Sequence, residues 1–234
     1  MTQQEYKSPY LDYIALFPQE YKDGTSYPTI ICLHGFGVEK SNLTGLAESL
    51  GLEGYLWLFP DAPQLAYDEA DPTARAWYTR GGAETPEEVA EAVSALEGFY
   101  TEAQQRHHFV DGRVVLLGFS QGGAMTLRYG LSRPEVFCGL VVLSGSLRKT
   151  EDLLPRLPPR PARQGYPIFL AHGLLDQVVR VEVGHQVNQF LQGQGYQPEY
   201  RTYRMGHYIS PQLMEDLQRW VSQVLPPLQE NLSN

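Results

Sequence analysis

The residues best suited to chemistry surround a serine in a glycine-rich turn. Gly118-Phe119-Ser120-Gln121-Gly122 matches the G-x-S-x-G pattern, with β-forming residues before it and a helix-like run after it. A sharp turn between a strand and a helix strains the serine backbone and needs small neighbours, because other chain segments pass close by. The turn predicts that Ser120 is a nucleophile; the alternative is a helix-capping serine in a glycine-rich loop.

Two turns further along the chain offer the partners that such a serine needs. A serine hydroxyl is a weak nucleophile at neutral pH and requires a base, which itself requires an orienting carboxylate. Asp176 and His207 each stand in a turn directly after a predicted strand, and Gly206 lets the second turn bend. Because ligands bind at the carboxyl ends of strands in α/β sheets, we predict a Ser120–His207–Asp176 triad. Asp176 can also be interpreted as a helix cap or an Asx-turn residue.

The other histidines are weaker candidates for the base. His107 and His108 end a long predicted helix and are expected to face solvent. His185 falls in the middle of a predicted helix and has no loop from which to project. His172 shares a loop with Asp176, so a structural hydrogen bond is its favoured role.

A second glycine-containing turn, His34-Gly35-Phe36-Gly37, follows another apolar run. Its glycines allow a backbone N–H, by position that of Phe36, to approach the reaction centre. Together with the N–H of Gln121 it would form a two-donor oxyanion hole. His34 is expected to hold the loop rather than to react.

The elements that must position these residues alternate between strands and helices. Apolar runs predict strands at 12–17, 29–33, 55–59, 114–117, 137–143, 168–171 and, nearer an edge, 199–203. Three-to-four spacing predicts short helices at 43–50, 122–131 and 181–191, and longer ones capped by Thr85 and Ser210. The alternation predicts an α/β fold with a mostly parallel central sheet and helices on both faces. We interpret the proline-rich stretch at 157–161 as a surface loop, so one domain over 1–234 is expected.

Composition excludes several classes of protein. The chain is 42% hydrophobic and 19% charged, and 18 basic against 27 acidic residues give a net charge of −9, which disfavours nucleic-acid binding. No run approaches the roughly 18 apolar residues of a membrane span, and the first residues lack the pattern of a signal peptide. With two cysteines and no disulfide framework, a cytoplasmic location is expected. Neither Cys32 nor Cys138 lies at a turn, and the six histidines are scattered, which argues against a cysteine or a metal-dependent hydrolase.

Six motifs occur in order between about residue 10 and residue 225 and resemble the carboxylesterase/phospholipase family of α/β-hydrolases, which includes acyl-protein thioesterases. They are Leu33-His34-Gly35-Phe36-Gly37, Phe59-Pro60-Asp61-Ala62-Pro63, Arg75-Ala76-Trp77-Tyr78, the serine turn with Gly123, His172-Gly173-Leu174-Leu175-Asp176, and Gly206-His207. Three positions differ from what is common in the family. The family commonly has an aspartate soon after the first motif, where this chain continues Val38-Glu39-Lys40. It usually reads Trp-Phe-Asp where this chain has Trp77-Tyr78-Thr79, and it often has glutamate after the histidine, where this chain has Tyr208.

The resemblance implies a serine hydrolase that cleaves esters or thioesters of acyl chains through an acyl-enzyme, without a cofactor or metal. It implies the nucleophile Ser120, the acid Asp176, the base His207, the oxyanion donors Phe36 and Gln121, and a place for Trp77 near the acyl chain. The expected partners are a small ester, a lysophospholipid or an S-acylated protein, and a homodimer, since family members often dimerise. No nucleic acid and no integral membrane association are expected. A peptidase, a lactone hydrolase and a non-catalytic binding protein remain alternatives.

Overall fold

An eight-stranded sheet runs through the molecule in the computed structural model, which describes residues 1–52, 54–67, 71–79, 84–147 and 149–228. The strands are β1 (Thr2–Tyr6), β2 (Tyr13–Phe17), β3 (Thr29–Leu33), β4 (Leu56–Pro60), β5 (Gln64–Leu65), β6 (Arg75–Ala76), β7 (Val114–Phe119), β8 (Phe137–Leu143), β9 (Ile168–Gly173) and β10 (Glu199–Tyr203). Eight of them form the sheet in the order β1-β2-β4-β3-β7-β8-β9-β10, while β5 and β6 make a separate two-stranded ribbon.

The direction of the strands decides where loops can meet. In the eight-stranded sheet, β1 and β2 are antiparallel to their neighbours, whereas every pairing along the order β4-β3-β7-β8-β9-β10 is parallel. The carboxyl ends of β3, β7, β8, β9 and β10 therefore lie along one edge of the sheet. The central strands β3, β7 and β8 are buried on both faces because helices cover them, which explains their nearly continuous apolar sequences.

Helices form the two outer layers. They are α1 (Gly45–Ser49), α2 (Pro86–His107), α3 (Gln121–Gly130), α4 (Val181–Gly193) and α5 (Pro211–Val224), with 3₁₀ helices at Lys40–Leu43, Thr150–Arg156 and Arg160–Arg163. The apolar side chains of α2, α3 and α4 share one core with the sheet, and those of α1 and α5 share the other. The predicted fold class is confirmed, while the single domain over 1–234 stays a prediction. Across the described ranges, no helix combines the length and apolar character needed to cross a membrane.

The caps predicted for the two long helices are present. The backbone N–H of Glu88 donates to Thr85 Oγ1 over 3.2 Å, and that of Thr85 donates to Glu88 Oε2 over 2.8 Å. Ser210 Oγ accepts from the N–H of Leu213 at 3.3 Å. These bonds satisfy N–H groups that have no partner within the first turn of a helix, so the sequence locates both starting points.

The antiparallel edge of the sheet differs from the sequence prediction in two ways. Strand β1 was not predicted, because its first four residues are exposed and polar and carry no apolar alternation. The expectation that His107 faces solvent is wrong: the residue is 2% exposed, and its Nε2 lies 3.0 Å from the hydroxyl of Tyr13. The last turn of α2 directs this side chain onto an aromatic cluster with Tyr6 and Phe17. Burial lowers the pKa of His107 to about 4.

Candidate active site

Three loops at the carboxyl edge of the sheet carry the residues singled out by their sequence. Ser120 follows β7 and precedes α3, Asp176 follows β9, and His207 follows β10. Since β7, β8, β9 and β10 are adjacent and parallel, the three loops open on the same side. The structure brings together all three residues.

The three side chains form a continuous chain of hydrogen bonds. Ser120 Oγ lies 3.0 Å from Nε2 of His207, and His207 Nδ1 lies 2.7 Å from Oδ2 of Asp176. A carboxylate can only accept a hydrogen bond, so Nδ1 of His207 carries the hydrogen and donates the hydrogen bond to Asp176. Nε2 is then the free acceptor that faces the serine hydroxyl. The arrangement prepares His207 to take a proton from Ser120.

Asp176 divides its two oxygens between the backbone and the imidazole. Oδ1 accepts the N–H groups of Val178 and Val179, each at 2.9 Å, while Oδ2 binds His207. Its side chain has no exposed surface. The Asx-turn and imidazole-orienting interpretations therefore describe the same residue, because the turn fixes the carboxylate that faces His207.

His172 stabilises this loop through a hydrogen bond to its backbone. It is 1% exposed, and its Nε2 lies 2.8 Å from the carbonyl oxygen of Val179. Burial lowers the pKa of His172 and favours the neutral ring, in which Nε2–H donates to that carbonyl. The structural hydrogen bond predicted for His172 is confirmed.

The glycines of the serine turn have a steric cause. Ser120 has a φ of 55°, in the left-handed region that side chains rarely adopt. A Cβ atom on Gly118 would overlap the carbonyl oxygen of Gly122, and a Cβ on Gly122 would overlap the carbonyl oxygen of Leu33. Only glycine at these two positions lets β7, α3 and the end of β3 approach so closely.

The two predicted oxyanion donors flank the serine. Gln121 is the first residue of α3, where backbone N–H groups have no intrahelical partner. A Cβ on Gly35 would lie 3.4 Å from Cβ of Ser120, which places the turn containing Phe36 against the serine. The positions suit the oxyanion hole, and the donor roles of Phe36 and Gln121 stay a prediction.

Trp77 connects the two turns. Its indole Nε1–H donates to the carbonyl oxygen of His34 over 2.9 Å, and its backbone N–H donates to Oε1 of Gln121 over 2.8 Å. Gln121 Nε2 donates in turn to the carbonyl oxygen of Tyr78 over 2.7 Å. Trp77 has no exposed surface, so direct contact with an acyl chain would require the surrounding loops to move; that role stays a prediction. The anchoring role of the Gln121 side chain had no signal in the sequence.

A second network holds the turn after β3. His34 Nδ1–H donates to the carbonyl oxygen of Gly35 over 2.7 Å, and His34 Nε2 accepts the N–H of Ala62 at 2.9 Å. The prediction that His34 holds its loop is confirmed. Asp61 accepts from the backbone N–H of Lys40 at 2.8 Å and from its Nζ at 3.0 Å. Lys40, which belongs to the stretch that departs from the family pattern, thus ties this turn to the end of β4.

Four apolar side chains are exposed beside the hydrogen-bonded residues. Leu174, Leu175 and Val178 flank Asp176 and are 51%, 58% and 54% exposed, and Tyr208, which follows His207, is 55% exposed. We call these four residues the apolar rim. Exposed apolar side chains of this kind can contact an apolar ligand.

Comparison with known proteins agrees with the fold. The model of the phospholipase/carboxylesterase family matches residues 20–225. The chain belongs to this family. Membership identifies it as an α/β-hydrolase enzyme that cleaves carboxylic ester or thioester bonds.

Individual relatives support the assignment. Acyl-protein thioesterase 1 of Gibberella zeae is 34% identical over 119 residues, which cover 50% of this chain and 51% of that protein. Acyl-protein thioesterase 1 homolog 1 of Dictyostelium discoideum is 27% identical over 213 residues, or 86% of this chain and 92% of that one. The crystal structure of Arabidopsis thaliana SOBER1, a carboxylesterase, superposes with a TM-score of 0.72 at 27% identity, covering 84% of this chain and 98% of that chain.

Proposed function

We propose that the protein is a serine hydrolase of acyl esters or thioesters, with Ser120 as nucleophile, His207 as base and Asp176 as the orienting acid. The observation that carries this proposal is the hydrogen-bond chain from Ser120 Oγ through both ring nitrogens of His207 to Asp176 Oδ2, with steps of 3.0 and 2.7 Å. These hydrogen bonds join a strained serine to a base whose tautomer is set by a buried carboxylate.

The reaction proceeds in two halves. Ser120 Oγ attacks the substrate carbonyl while His207 Nε2 takes its proton, and Asp176 stabilises the resulting imidazolium. The imidazolium returns that proton to the alcohol or thiol, which leaves as the acyl-enzyme forms. Water, deprotonated by His207, then attacks the acyl-enzyme and releases the acid and free Ser120. The backbone N–H groups of Phe36 and Gln121 stabilise both tetrahedral oxyanions, each contributing about 3 kcal/mol.

The apolar rim, the names of the relatives and the description of the family support the proposed substrate class. Acyl-protein thioesterase and carboxylesterase relatives favour an acyl chain on a protein thiol or a small ester, and the phospholipase/carboxylesterase family adds a lysophospholipid. The exposed rim residues suit the apolar part of such a substrate. One methylene in an apolar pocket is worth about 1–3 kcal/mol, so chain-length preference should be graded. The cytoplasmic location and the homodimer remain predictions.

Substitution of the nucleophile tests the proposal directly. Ser120→Ala should lower kcat for p-nitrophenyl esters by about 10³-fold or more, because it removes the attacking oxygen. A fluorophosphonate probe should label the parent protein at Ser120 only, as located by mass spectrometry, and activity should survive EDTA. Ser132→Ala, an exposed serine just past α3, is the matched control and should behave as the parent does. Undiminished turnover by Ser120→Ala, or an adduct on another residue, would refute the assignment.

The choice of substrate needs a separate comparison. We expect measurable kcat/KM on p-nitrophenyl esters of graded chain length, an S-acylated peptide and a lysophosphatidylcholine, with the highest value identifying the preferred class. Preference for the S-acylated peptide would favour the acyl-protein thioesterase interpretation. Cleavage of peptides or lactones in preference to all three would instead favour the alternative hydrolase activities.

A further inference from the structure

A cleft of about 250 Å³ lies between the start of α2, the later part of α3 and the 3₁₀ helix Thr150–Arg156. Its wall includes five charged residues, Glu84, Arg128, Lys149, Asp152 and Arg156. None of these takes part in the mechanism proposed above. The cleft is therefore a feature that the hydrolase reaction leaves unexplained.

Arg128 is the unusual member of this group. Its side chain is 1% exposed, and its Nη2 donates to Glu84 Oε1 over 3.2 Å. Its Cζ lies 4.7 Å from the ring centroid of Tyr78. Nε and Nη1 of Arg128, and Oε2 of Glu84, are buried without a hydrogen-bond partner in the part of the chain that the structure describes. A buried guanidinium normally has its donors satisfied, so this one has bonding capacity to spare.

The cleft also carries excess positive charge. Its three basic residues face two carboxylates, in a protein whose net charge is −9. Within the described ranges, Arg156 has no acidic side chain in ion-pair contact. Burial, together with the nearby guanidinium groups of Arg128 and Arg133, lowers the pKa of Arg156. Such a surface attracts an anion.

Asp152 is the group that an anion would displace. Its Oδ2 lies 3.6 Å from Nη2 of Arg128, which is beyond hydrogen-bond distance, and its side chain is 47% exposed. Both Asp152 and Glu84 line the cleft, so the guanidinium end of Arg128 forms that part of its wall. Rotation of the exposed Asp152 side chain towards solvent would open Arg128 to the cleft.

We propose that this cleft binds a small oxyanion, a carboxylate or a phosphate, on Arg128, with Lys149 and Arg156 at its mouth and Asp152 as an internal competitor. Guanidinium groups match the geometry of these anions and form charge-assisted hydrogen bonds with them. Arg128 stands eight residues after Ser120, or about 12 Å along a helix, so the anion is either a free ligand or the acidic end of a substrate.

Calorimetric titration with sodium phosphate and with sodium succinate, at constant ionic strength, tests the site. Arg128→Gln should weaken binding about tenfold or more, since a hydrogen bond to a charged group is worth at least that factor. Asp152→Asn should strengthen it several-fold by removing the competing charge. Arg219→Gln and Asp23→Asn, exposed changes of the same type outside the cleft, are the matched controls and should leave the Kd unchanged.

Two further measurements keep the outcome decisive. Hydrolysis of neutral p-nitrophenyl butyrate reports whether each variant is folded. If Arg128→Gln does not fold, the double variant Lys149→Gln/Arg156→Gln still tests the site, because it should also weaken binding of the anion. A pair of longer esters separates the two sources of the anion: p-nitrophenyl hydrogen sebacate, whose carboxylate can span the distance from Ser120 to Arg128, and neutral p-nitrophenyl decanoate. A kcat/KM that falls in Arg128→Gln for the acidic ester alone identifies the substrate, and unchanged or equally changed values for the two esters identify a free ligand. Absence of binding, or a Kd that none of the cleft substitutions alters, would overturn the proposal. Binding to Ser120→Ala can be measured without turnover, so failure of this site and failure of the proposed catalytic residues are distinguishable.

Discussion

Asp176 shows how one side chain can hold a turn and orient an imidazole together. One carboxylate oxygen accepts two backbone N–H groups of its own loop, and the other accepts from His207. The two backbone hydrogen bonds to Oδ1 prevent rotation of the carboxylate, so Oδ2 is held in position against the imidazole. His172 extends the arrangement by binding the carbonyl of Val179, whose N–H is one of the two donors to Asp176.

Replacement of the acid by its amide separates these two roles. In Asp176→Asn the side-chain oxygen can still accept from the loop, while the amide N–H₂ faces His207 and favours the tautomer with its proton on Nε2. That tautomer cannot accept the proton of Ser120, so we expect kcat to fall about 10³–10⁴-fold. Steady-state kinetics and a thermal melt measure activity and folding side by side.

The exposed Asp23→Asn is the control for the loss of one carboxylate and should keep the parental kcat. A folded Asp176→Asn enzyme that retains more than about a tenth of the parental kcat would contradict the orienting role of Asp176.

At the scale of elements, the serine turn depends on the close approach of β3, β7 and α3. Gly122 allows this approach because α3 begins directly against the carbonyl oxygens at the end of β3. The side chain of Gln121 then ties the start of α3 to Trp77, and Trp77 ties it to His34. The geometry of the candidate site is thus a property of the junction rather than of Ser120 alone.

We expect Gly122→Ala to damage this junction. The added methyl group meets backbone atoms that cannot rotate away, so the free energy of unfolding should fall by about 2 kcal/mol or more, with loss of kcat. Urea unfolding followed by circular dichroism measures the change.

Gly193→Ala supplies the control within α4, where no atom lies within 4 Å of the added Cβ. Because alanine is the better helix former, this variant should be as stable as the parent or slightly more stable. Equal stability of Gly122→Ala and the parent would show that the junction has room that the structure does not indicate.

At the scale of the whole molecule, a buried imidazole links folding to pH far from the candidate site. His107 packs against Tyr6, Tyr13 and Phe17, where α2 meets the antiparallel edge of the sheet. Its pKa is about 4 in the folded protein, below its ordinary value of 6.5 in the unfolded chain. As pH falls between these values, the imidazole of His107 becomes protonated in the unfolded chain but stays neutral in the folded protein. The folded state therefore loses stability in this window, and the loss from this group is complete below about pH 4.

This linkage predicts a fall in the free energy of unfolding of about 3 kcal/mol at most between pH 6.5 and 4. His107→Asn, which keeps a polar group near Tyr13 but does not titrate, should lose that part of the pH dependence. His108→Asn changes an exposed neighbour whose left-handed backbone asparagine tolerates. It retains the buried imidazole, whose pKa is lowered first by burial, and should keep most of the parental slope. Urea titrations at a series of pH values measure both; identical slopes for His107→Asn and the parent would contradict the linkage.

The sequence by itself was sufficient for the architecture and for the meeting of Ser120, Asp176 and His207. Apolar runs and capping residues located every strand of the large sheet except β1, and the long helices, since burial on both sheet faces and unsatisfied helix N–H groups leave local marks in the chain. The three candidate residues each follow a strand, and parallel strands bring their carboxyl ends to one edge whatever their separation in sequence. Local pattern therefore predicted a contact between residues 87 positions apart.

Only the tertiary structure decided which polar side chains are buried and what they contact. His107 meets Tyr13 across 94 positions, Gln121 meets Trp77 across 44, and Arg128 meets Glu84 across 44. His107 lies four residues after the buried Ala103 and so continues the apolar face of α2. No such periodicity marks Gln121 or Arg128, because every residue of α3 is buried. Their burial depends on the packing of elements distant in the chain, and that packing is set by the fold as a whole.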